Sequence, residues 1–339
     1  MSYYTKVKNE LLAKPRTWLV TGVAGFIGNH LLEALLSLNQ RVIGLDNFAT
    51  STQKDLHRTL ALFEKAQQKL FVFHEGDILS PQTCAEVMEN VDIVLHQAAI
   101  ASVPLSIKEP AMVHAVNTTG FLNVLIAAKN AQVKRIIYAS SCAVYGDTQQ
   151  MPIKESSTFS PLSLYAATKA CNEIDAIAFT KTYGLETIGL RYFNVFGPHQ
   201  SLTGAYAAVI PAWIDAIKNN QAIQINGDGE TSRDFCYVKD IVKANILAGA
   251  TQEKAALNTV YNVGSGVETT LNELCDFLRI AFKKENHPVQ YNPERQGDIR
   301  HSKASIEKIQ SSLQYEATPI SAVALTPEAM QIPFAQSPL

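Results

Sequence analysis

Residues 18–28 read Trp18-Leu-Val-Thr-Gly22-Val-Ala-Gly25-Phe-Ile-Gly28, and this stretch decides the fold class. A short apolar strand runs into three glycines spaced by three residues, and a helical pattern follows. Gly22 permits a tight turn, Gly25 lets the backbone approach a pyrophosphate, and Gly28 lets helix and strand pack closely. Free N–H groups at the start of the helix can then bind phosphate. The stretch therefore predicts a dinucleotide site at the first strand–helix turn.

A carboxylate at the end of the next strand extends this motif. Asp46, in Leu45-Asp46-Asn47, stands where it can accept hydrogen bonds from a ribose diol. The same carboxylate would repel a 2′-phosphate, so we expect NAD rather than NADP as the cofactor. A later strand end, Gly76-Asp77-Ile78, should lie beside the adenine.

Strand and helix patterns alternate through the first half of the chain, which is typical of parallel βαβ units. The predicted strands are Trp18–Thr21, Arg41–Leu45, Leu70–His74, Ile93–His96, Arg135–Ala139 and Thr187–Arg191. The predicted helices include Phe26–Leu38, Cys84–Glu89, Gly120–Asn130 and Leu164–Tyr183. We therefore expect an α/β fold with a doubly wound parallel sheet of the Rossmann type.

After about Gly197 this alternation ends and the loops lengthen. We expect four parts: a helical N-terminal extension over 1–16, an NAD-binding Rossmann domain over 17–197, a substrate-binding region over 198–317, and a tail over 318–339 with no assigned role. The substrate-binding region is expected to be a smaller α/β unit, partly interleaved with the first domain.

Composition narrows the class of protein. The chain has 339 residues, 47% of them hydrophobic and 18% charged, with a net charge of −2. These values are ordinary for a globular enzyme and give no reason to expect nucleic acid or a membrane as a partner. The five cysteines are scattered without a Cys-x-x-Cys pair, which fits reduced thiols rather than a metal site. We expect a cytoplasmic protein without a metal.

A second motif carries the chemistry. Ser141 lies at the end of a predicted strand, and Tyr165 and Lys169 stand four residues apart, on one face of a predicted helix. A free tyrosine, with a pKa of about 10, is a poor base at neutral pH. A nearby ammonium and a positively charged nicotinamide ring both favour the phenolate. The pattern predicts Tyr165 as general base, Lys169 as its activator and Ser141 as a proton relay.

Together these motifs resemble the extended short-chain dehydrogenase/reductase family. The Gly22-Gly25-Gly28 motif, His96-Gln-Ala-Ala99, the Ser141/Tyr165/Lys169 set and Arg191-Tyr-Phe-Asn-Val-Phe-Gly197 occur in family order. Within the family, the chain most resembles bacterial UDP-N-acetylglucosamine 4-epimerases that serve surface polysaccharide synthesis. The resemblance extends from about Thr17 to Ser305.

The resemblance implies two sets of site residues. The NAD site should include Phe26, Ile27, Asp46, Asn47, Asp77, Ile78, Gln97, Ala98, Asn117, Tyr165, Lys169 and Tyr192. The nucleotide sugar should contact Ser102, Ser141, Cys142, Asn194, Ala208, Gln224, Asn226, Arg233, Arg295, Asp298 and Ser302. Arginines suit this second set because a guanidinium can meet phosphate oxygens in a fork.

Ser302 should determine which sugars are accepted. Family members restricted to glucose and galactose have a bulky Tyr at this position, whereas a small residue resembles the members that admit a C2 N-acetyl group. Cys142 departs from the Ser of near relatives, and Leu164 departs from the Pro that commonly precedes the catalytic Tyr.

The resemblance implies an isomerase that interconverts UDP-GlcNAc and UDP-GalNAc, with UDP-Glc and UDP-Gal as a further pair, through a 4-keto intermediate. It also implies a homodimer, since members commonly pair through two helices of the NAD domain. Three alternatives are a nucleotide-sugar 4,6-dehydratase, a UDP-glucuronate decarboxylase and a catalytically silent NAD-binding regulator. A dehydratase usually has Asp-Glu where this chain has Cys142-Ala143, and the intact Ser141/Tyr165/Lys169 set argues against a silent regulator.

Overall fold

The structure is a computed structural model that describes residues 1–200, 208–294, 299–326 and 330. Its strands are β1 (Thr17–Thr21), β2 (Arg41–Asp46), β3 (Phe71–Glu75), β4 (Ile93–His96), β5 (Arg135–Ser141), β6 (Glu186–Tyr192), β7 (Val195–Phe196), β8 (Ile223–Asn226), β9 (Ser232–Arg233), β10 (Cys236–Tyr237), β11 (Thr259–Val263), β12 (Thr269–Thr270) and β13 (Val289–Asn292). Its α-helices are α1 (Tyr3–Ala13), α2 (Phe26–Ser37), α3 (Gln53–Leu60), α4 (Lys65–Gln68), α5 (Pro81–Glu86), α6 (Val103–Lys108), α7 (Pro110–His114), α8 (Gly120–Asn130), α9 (Leu164–Tyr183), α10 (Val209–Lys218), α11 (Val238–Ala250), α12 (Leu271–Ala281) and α13 (Glu307–Leu313).

A seven-stranded parallel sheet forms the centre, in the order β11-β6-β5-β4-β1-β2-β3. The strand order reverses between β1 and β4, and in such sheets ligands bind beyond the carboxyl ends of the strands at this switch point. The register places Thr21 opposite His96 and Ser141 opposite Tyr192, so these strand ends lie at one edge. The predicted doubly wound α/β fold is confirmed.

Both faces of the sheet are buried at its centre, and the side chains of β1 show how. Trp18 and Val20 belong to one core cluster with residues of α2 and α11, whereas Leu19 belongs to a second cluster with Phe121 of α8. Alternate side chains of one strand thus pack against opposite layers of helices. This explains why β1 is apolar throughout instead of alternating with polar residues.

The six predicted strands are present, each within two residues of the predicted ends. The helices Gly120–Asn130 and Leu164–Tyr183 have the predicted bounds, but α5 begins at Pro81 rather than Cys84. The reason is local, because the Ser80 side chain accepts a hydrogen bond from the Thr83 N–H at 3.1 Å and a proline occupies the first turn. Both features favour a helix start at this point.

The second half of the chain contributes to both parts of the molecule. Its own core contains Trp213, Ile223 and Leu274, with β8 and β13 paired in parallel beside it. The chain also returns to the first sheet, since β11 pairs with β6 and α11 packs into the first core cluster. The seventh strand was not predicted from the sequence.

The N-terminal helix packs onto the central unit. Val7 and Leu11 of α1 are buried in the first core cluster, and Gln40 Nε2 donates to the Leu11 carbonyl at 3.0 Å. A helix, Tyr3–Ala13, therefore occupies most of the expected N-terminal extension. One helical run, residues 110–130, is long and apolar enough to cross a bilayer by length and composition, but half of its most apolar window is buried, as in a core helix of a soluble protein.

The packing of α2 on β1 can be tested at Gly28. A Cβ there would lie 2.0 Å from the Gly22 carbonyl oxygen, a backbone atom. Such overpacking should lower the free energy of unfolding by about 1–3 kcal/mol in Gly28→Ala. Urea unfolding followed by circular dichroism measures this change. Gly25→Ala is the control, because its Cβ would meet the same oxygen at 3.2 Å and should cost much less. Equal midpoints for the two variants would contradict the packing argument.

Candidate active site

A cavity of about 1530 Å³ lies beyond the carboxyl ends of the central strands. It runs from the glycine turn after β1 to Arg233 in the second half of the chain, so both halves form its walls. Its size is above the usual range for small-ligand pockets, roughly 300–1,000 Å³, and suits two extended ligands bound end to end.

The glycine turn forms one end of this cavity. The Gly22 N–H donates to the Leu45 carbonyl at 2.7 Å, and its φ of +71° lies in the left-handed region that favours glycine. A Cβ on Gly22 would lie 2.8 Å from the Ala98 backbone nitrogen. Helix α2 then begins at Phe26 without a side-chain cap. Its first-turn N–H groups therefore remain available for phosphate oxygens, which fits a dinucleotide.

Asp46 is oriented by the backbone around it. One carboxylate oxygen accepts from the Ala24 N–H at 2.9 Å, and the other accepts from the Phe48 N–H at 2.8 Å. An ionised carboxylate can accept about four hydrogen bonds, so capacity remains for a ribose hydroxyl. Asn47 Nδ2 donates to Asp77 at 2.8 Å, which joins the ends of two neighbouring strand segments at the expected adenosine end.

The other residues predicted for the cofactor fall into two groups. The first group lines the cavity and consists of the three motif glycines, Phe26, Ile27, Asp46, Asn47, Asp77, Ile78, Gln97, Ala98, Tyr165, Lys169 and Tyr192. Asn117 does not line it and is 1% exposed. Its side chain is held by the backbone of Ile100 at 2.8 and 3.1 Å and by Thr168 at 3.1 Å. Asn117 therefore fastens the segment after β4 to helix α9 behind the cavity wall.

The three predicted catalytic side chains lie together in the cavity wall. Ser141 ends β5, and α9 places Tyr165 and Lys169 one turn apart. Ser163 starts this helix by accepting from the Ala166 N–H at 3.1 Å, which sets Tyr165 in its first turn. The Lys169 ammonium donates to the Ala139 carbonyl at 2.9 Å, two residues before Ser141.

Burial sets the proton affinities of this group. It raises the pKa of Tyr165 to about 12, while a hydrogen bond with Ser141 acts in the opposite direction. Burial also lowers the pKa of Lys169 to about 8. Both shifts have the same cause, because a site shielded from water disfavours charge. Without a bound cation, Tyr165 is therefore a phenol at neutral pH, and Lys169 is still mostly protonated.

Two uncharged groups frame the catalytic set. The Tyr192 hydroxyl donates to Gln97 at 3.1 Å and accepts from Asn245 Nδ2 at 2.8 Å, and burial raises its pKa. Burial likewise raises the pKa of Cys142 to about 12, so this residue is a neutral thiol.

Asn245 was not predicted, because it comes from α11 in the second half and no motif connects it with the first. The cavity-lining side chains of Gln200, Trp213 and Phe235 were missed for the same reason.

Most residues predicted for the substrate line the same cavity: Ser102, Ser141, Cys142, Asn194, Ala208, Gln224, Asn226 and Arg233. Asn194 is fixed by a 3.1 Å hydrogen bond to the Asp234 carbonyl. Ser302 is 6% exposed and is not part of the lining formed by the described residues. The predicted residues Arg295 and Asp298 lie outside the described residues.

The charges along the cavity are unevenly placed. Among the described lining residues, the carboxylates are Asp46 and Asp77, both at the expected adenosine end, and the cations are Lys169 and Arg233. The described residues contain no cluster of side chains that could hold a metal ion. The arrangement therefore combines a dinucleotide cradle, a Ser/Tyr/Lys set and an uncharged wall beside that set.

Comparison with known proteins agrees with this geometry. The NAD dependent epimerase/dehydratase family matches residues 18–264. UDP-glucose 4-epimerase of Mycolicibacterium smegmatis is 32% identical over 287 residues, which cover 84% of this chain and 88% of that protein.

Two solved structures extend the comparison. A UDP-N-acetylglucosamine 4-epimerase from Methanobrevibacter ruminantium, in complex with UDP-N-acetylmuramic acid, is 37% identical with a TM-score of 0.85, covering 94% of this chain and 98% of that one. A UDP-glucuronic acid 4-epimerase from Bacillus cereus, in complex with UDP-glucuronic acid and NAD, is 28% identical with a TM-score of 0.82, covering 93% and 97%. The chain therefore belongs to the NAD dependent epimerase/dehydratase family, as an NAD-dependent UDP-sugar 4-epimerase.

Proposed function

We propose that this enzyme epimerises a UDP-N-acetylhexosamine at C4, interconverting UDP-GlcNAc and UDP-GalNAc, with UDP-Glc and UDP-Gal as further substrates. The observation that carries the proposal is the cavity wall beside Ser141 and Tyr165. The lining of the same cavity includes the small, uncharged residues Ala101, Ser102, Cys142, Ala143 and Ala208, and small side chains leave room for an N-acetyl group. The 37% identity to a UDP-N-acetylglucosamine 4-epimerase supports the same substrate.

In the proposed reaction Tyr165 takes the proton of the C4 hydroxyl, and Ser141 relays it. Bound NAD would supply the hydride chemistry at C4. The Tyr165 phenol must first lose its own proton, which its burial opposes. The Lys169 ammonium, one helical turn away, favours the phenolate by its charge. We place the UDP half of the substrate on Asn194, Gln224, Asn226 and Arg233, so that the sugar can turn while its nucleotide stays bound.

The uncharged wall also bears on the rival dehydratase reaction. That reaction needs an acid and a base near C5 and C6 of the sugar. At the position where those groups usually stand, this chain has Ala143 and the neutral thiol of Cys142. Among the described residues, the carboxylates that line the cavity are Asp46 and Asp77, near the glycine turn. Epimerisation needs no further carboxylate, so the wall favours it.

We also propose a cytoplasmic homodimer that serves surface polysaccharide synthesis, with a Rossmann domain over 17–197 and a substrate-binding region over 198–317. Helices α8 and α9 contact each other and expose apolar side chains on their outer surface. Leu122 and Ile126 of α8 are 37% and 43% exposed, and Ile174 and Ile177 of α9 are 56% and 48% exposed. Several exposed apolar side chains on two packed helices are typical of an interface between subunits.

The assigned base is tested by Tyr165→Phe, which keeps the ring and removes the titrating oxygen. Turnover should fall by roughly 10²-fold or more, as expected for the loss of general base catalysis. Binding of the UDP-sugar, measured by calorimetry, should be retained. Tyr183→Phe, at the exposed end of the same helix, is the control and should leave turnover unchanged. Near-parental turnover in Tyr165→Phe would remove Tyr165 from the role of base.

The proposed substrate is tested by rates on UDP-GlcNAc, UDP-Glc and their galacto epimers, without added NADH. Ser302→Tyr should lower the rate on UDP-GlcNAc sharply and preserve the rate on UDP-Glc. Because Ser302 is buried, the larger ring also strains the packing. Ser305→Tyr, a neighbour that is equally 6% exposed, controls for this strain and should lower both rates together. The same ratio of rates in both variants would exclude Ser302 as the determinant of sugar size.

The proposed dimer is tested by Ile174→Glu, because a charge buried in an apolar interface carries a large desolvation cost. Light scattering after gel filtration should give a dimer for the parent and a monomer for the variant. Ile280→Glu, on α12 and 64% exposed, should remain dimeric. A dimer that survives Ile174→Glu would place the interface elsewhere.

A further inference from the structure

A buried ion pair lies directly behind the catalytic set. Glu173 and Arg191 are 1% and 3% exposed. The guanidinium meets the carboxylate in a fork, with Nε at 2.8 Å from one oxygen and Nη2 at 2.6 Å from the other. Removing two charges from water is costly, and such pairs are often no more stabilising than apolar residues of the same volume. Stability alone is therefore a weak explanation for the pair.

The two members of the pair lie on the elements that carry the catalytic residues. Glu173 follows Lys169 by one turn of α9 and Tyr165 by two. Arg191 precedes Tyr192 at the end of β6. The Glu173 carboxylate also accepts a hydrogen bond from the Ser140 hydroxyl, next to Ser141 in β5. One ion pair thus connects α9 with the carboxyl ends of two neighbouring strands.

The connection continues beyond the pair. Arg191 Nη1 donates to the Tyr145 hydroxyl at 2.7 Å, and this hydroxyl donates to Asn262 Oδ1 of β11 at 2.6 Å. Burial alone would lower the pKa of Arg191, but its hydrogen bonds to Glu173 and the charge of that carboxylate raise it instead. The guanidinium therefore stays charged and keeps all of these contacts across the working pH range.

The charges of the pair act on neighbours other than the base. The pKa values of Tyr138 and Tyr145 are raised mainly by burial, and both also respond to Glu173 and Arg191. The pKa of Tyr165 is set by its burial, by Ser141 and by Cys142. Because the two opposite charges of the pair largely cancel at a distance, we expect the pair to act on Tyr165 mainly through position.

We propose that the Glu173–Arg191 pair is a positioning device for the reaction, which holds α9 against the ends of β5 and β6 so that Tyr165 stays within hydrogen-bonding reach of Ser141. The inference rests on the roles proposed above for Tyr165 and Ser141. It does not depend on which UDP-sugar is the substrate. A displacement of about 1 Å at reacting groups can cost on the order of 10²-fold in rate.

Glu173→Gln tests the proposal, because it keeps the shape of the side chain and removes its charge. Measured on whichever UDP-sugar the parent turns over, kcat should fall by about 10- to 100-fold, with KM within about twofold of the parent. Loss of the Ser141 hydrogen bond should also move the acid limb of the kcat profile to higher pH, because that bond favours the phenolate. A purely structural role would leave this midpoint unchanged.

The chain offers a matched control at the other end of the same two strands. Arg135 Nη2 of β5 meets Glu186 of β6 at 2.7 Å, at the amino ends of the strands and far from the cavity. Glu186→Gln should lower the melting temperature and leave kcat and its pH profile unchanged. If both variants lost kcat in proportion to their loss of stability, the positioning role would be excluded.

A second variant distinguishes the loss of positioning from the destabilisation that an unpaired, buried Arg191 charge would cause. Glu173→Met with Arg191→Met removes both charges and retains most of the volume, so folding should be preserved. Its kcat should remain low, because the hydrogen bonds to Ser140 and Tyr145 are gone. Parental kcat in this double variant, or in Glu173→Gln, would overturn the proposal. Should Glu173→Gln not fold, the double variant alone decides. A parent active only on UDP-Glc would refute the proposed N-acetyl substrate and leave this test intact.

Discussion

The parallel pairing of the seven central strands is the constraint on which the rest of the molecule depends. Because helices cover both faces, the strands must be apolar, and polar side chains are confined to the strand ends. Parallel pairing then places the carboxyl ends of all seven strands along the same side of the molecule. Thr21, His96, Ser141 and Tyr192 are neighbours there for this reason, although they are far apart in the sequence.

The same burial that stabilises the sheet works against the chemistry at its edge. It raises the pKa of Tyr165 and lowers that of Lys169, so each residue is held closer to its neutral form. A positively charged cofactor ring beside the phenol would reverse this preference for Tyr165. The proposed base therefore becomes effective mainly when the cofactor is in place. An unloaded enzyme would have a phenol at this position and little capacity to abstract a proton.

Much of the first half could be predicted from the sequence, because its signals are local. Each signal depends on residues close in sequence: the glycine motif, Asp46 at the end of β2, and the spacing of four between Tyr165 and Lys169. All of these residues line the cavity. What was missed depends on contacts between distant segments. Strand β11 joins the first sheet, and Asn245 of α11 reaches Tyr192, only because the second half folds back onto the first. Asn117 and Ser302 were assigned to the ligands by resemblance, but both are buried and lie outside the described lining.

The return of α11 and β11 to the first sheet has a consequence for how the protein is made. The edge of the sheet next to β6 is completed by Thr259–Val263, and one core layer needs the side chains of α11. A nascent chain that ends near Gly197 therefore has an unpaired strand edge and an uncovered apolar face. During translation, more than sixty further residues must be synthesised before β11 and α11 can complete the sheet and the core of the dinucleotide-binding half. An unpaired strand edge of this kind favours edge-to-edge association in that interval.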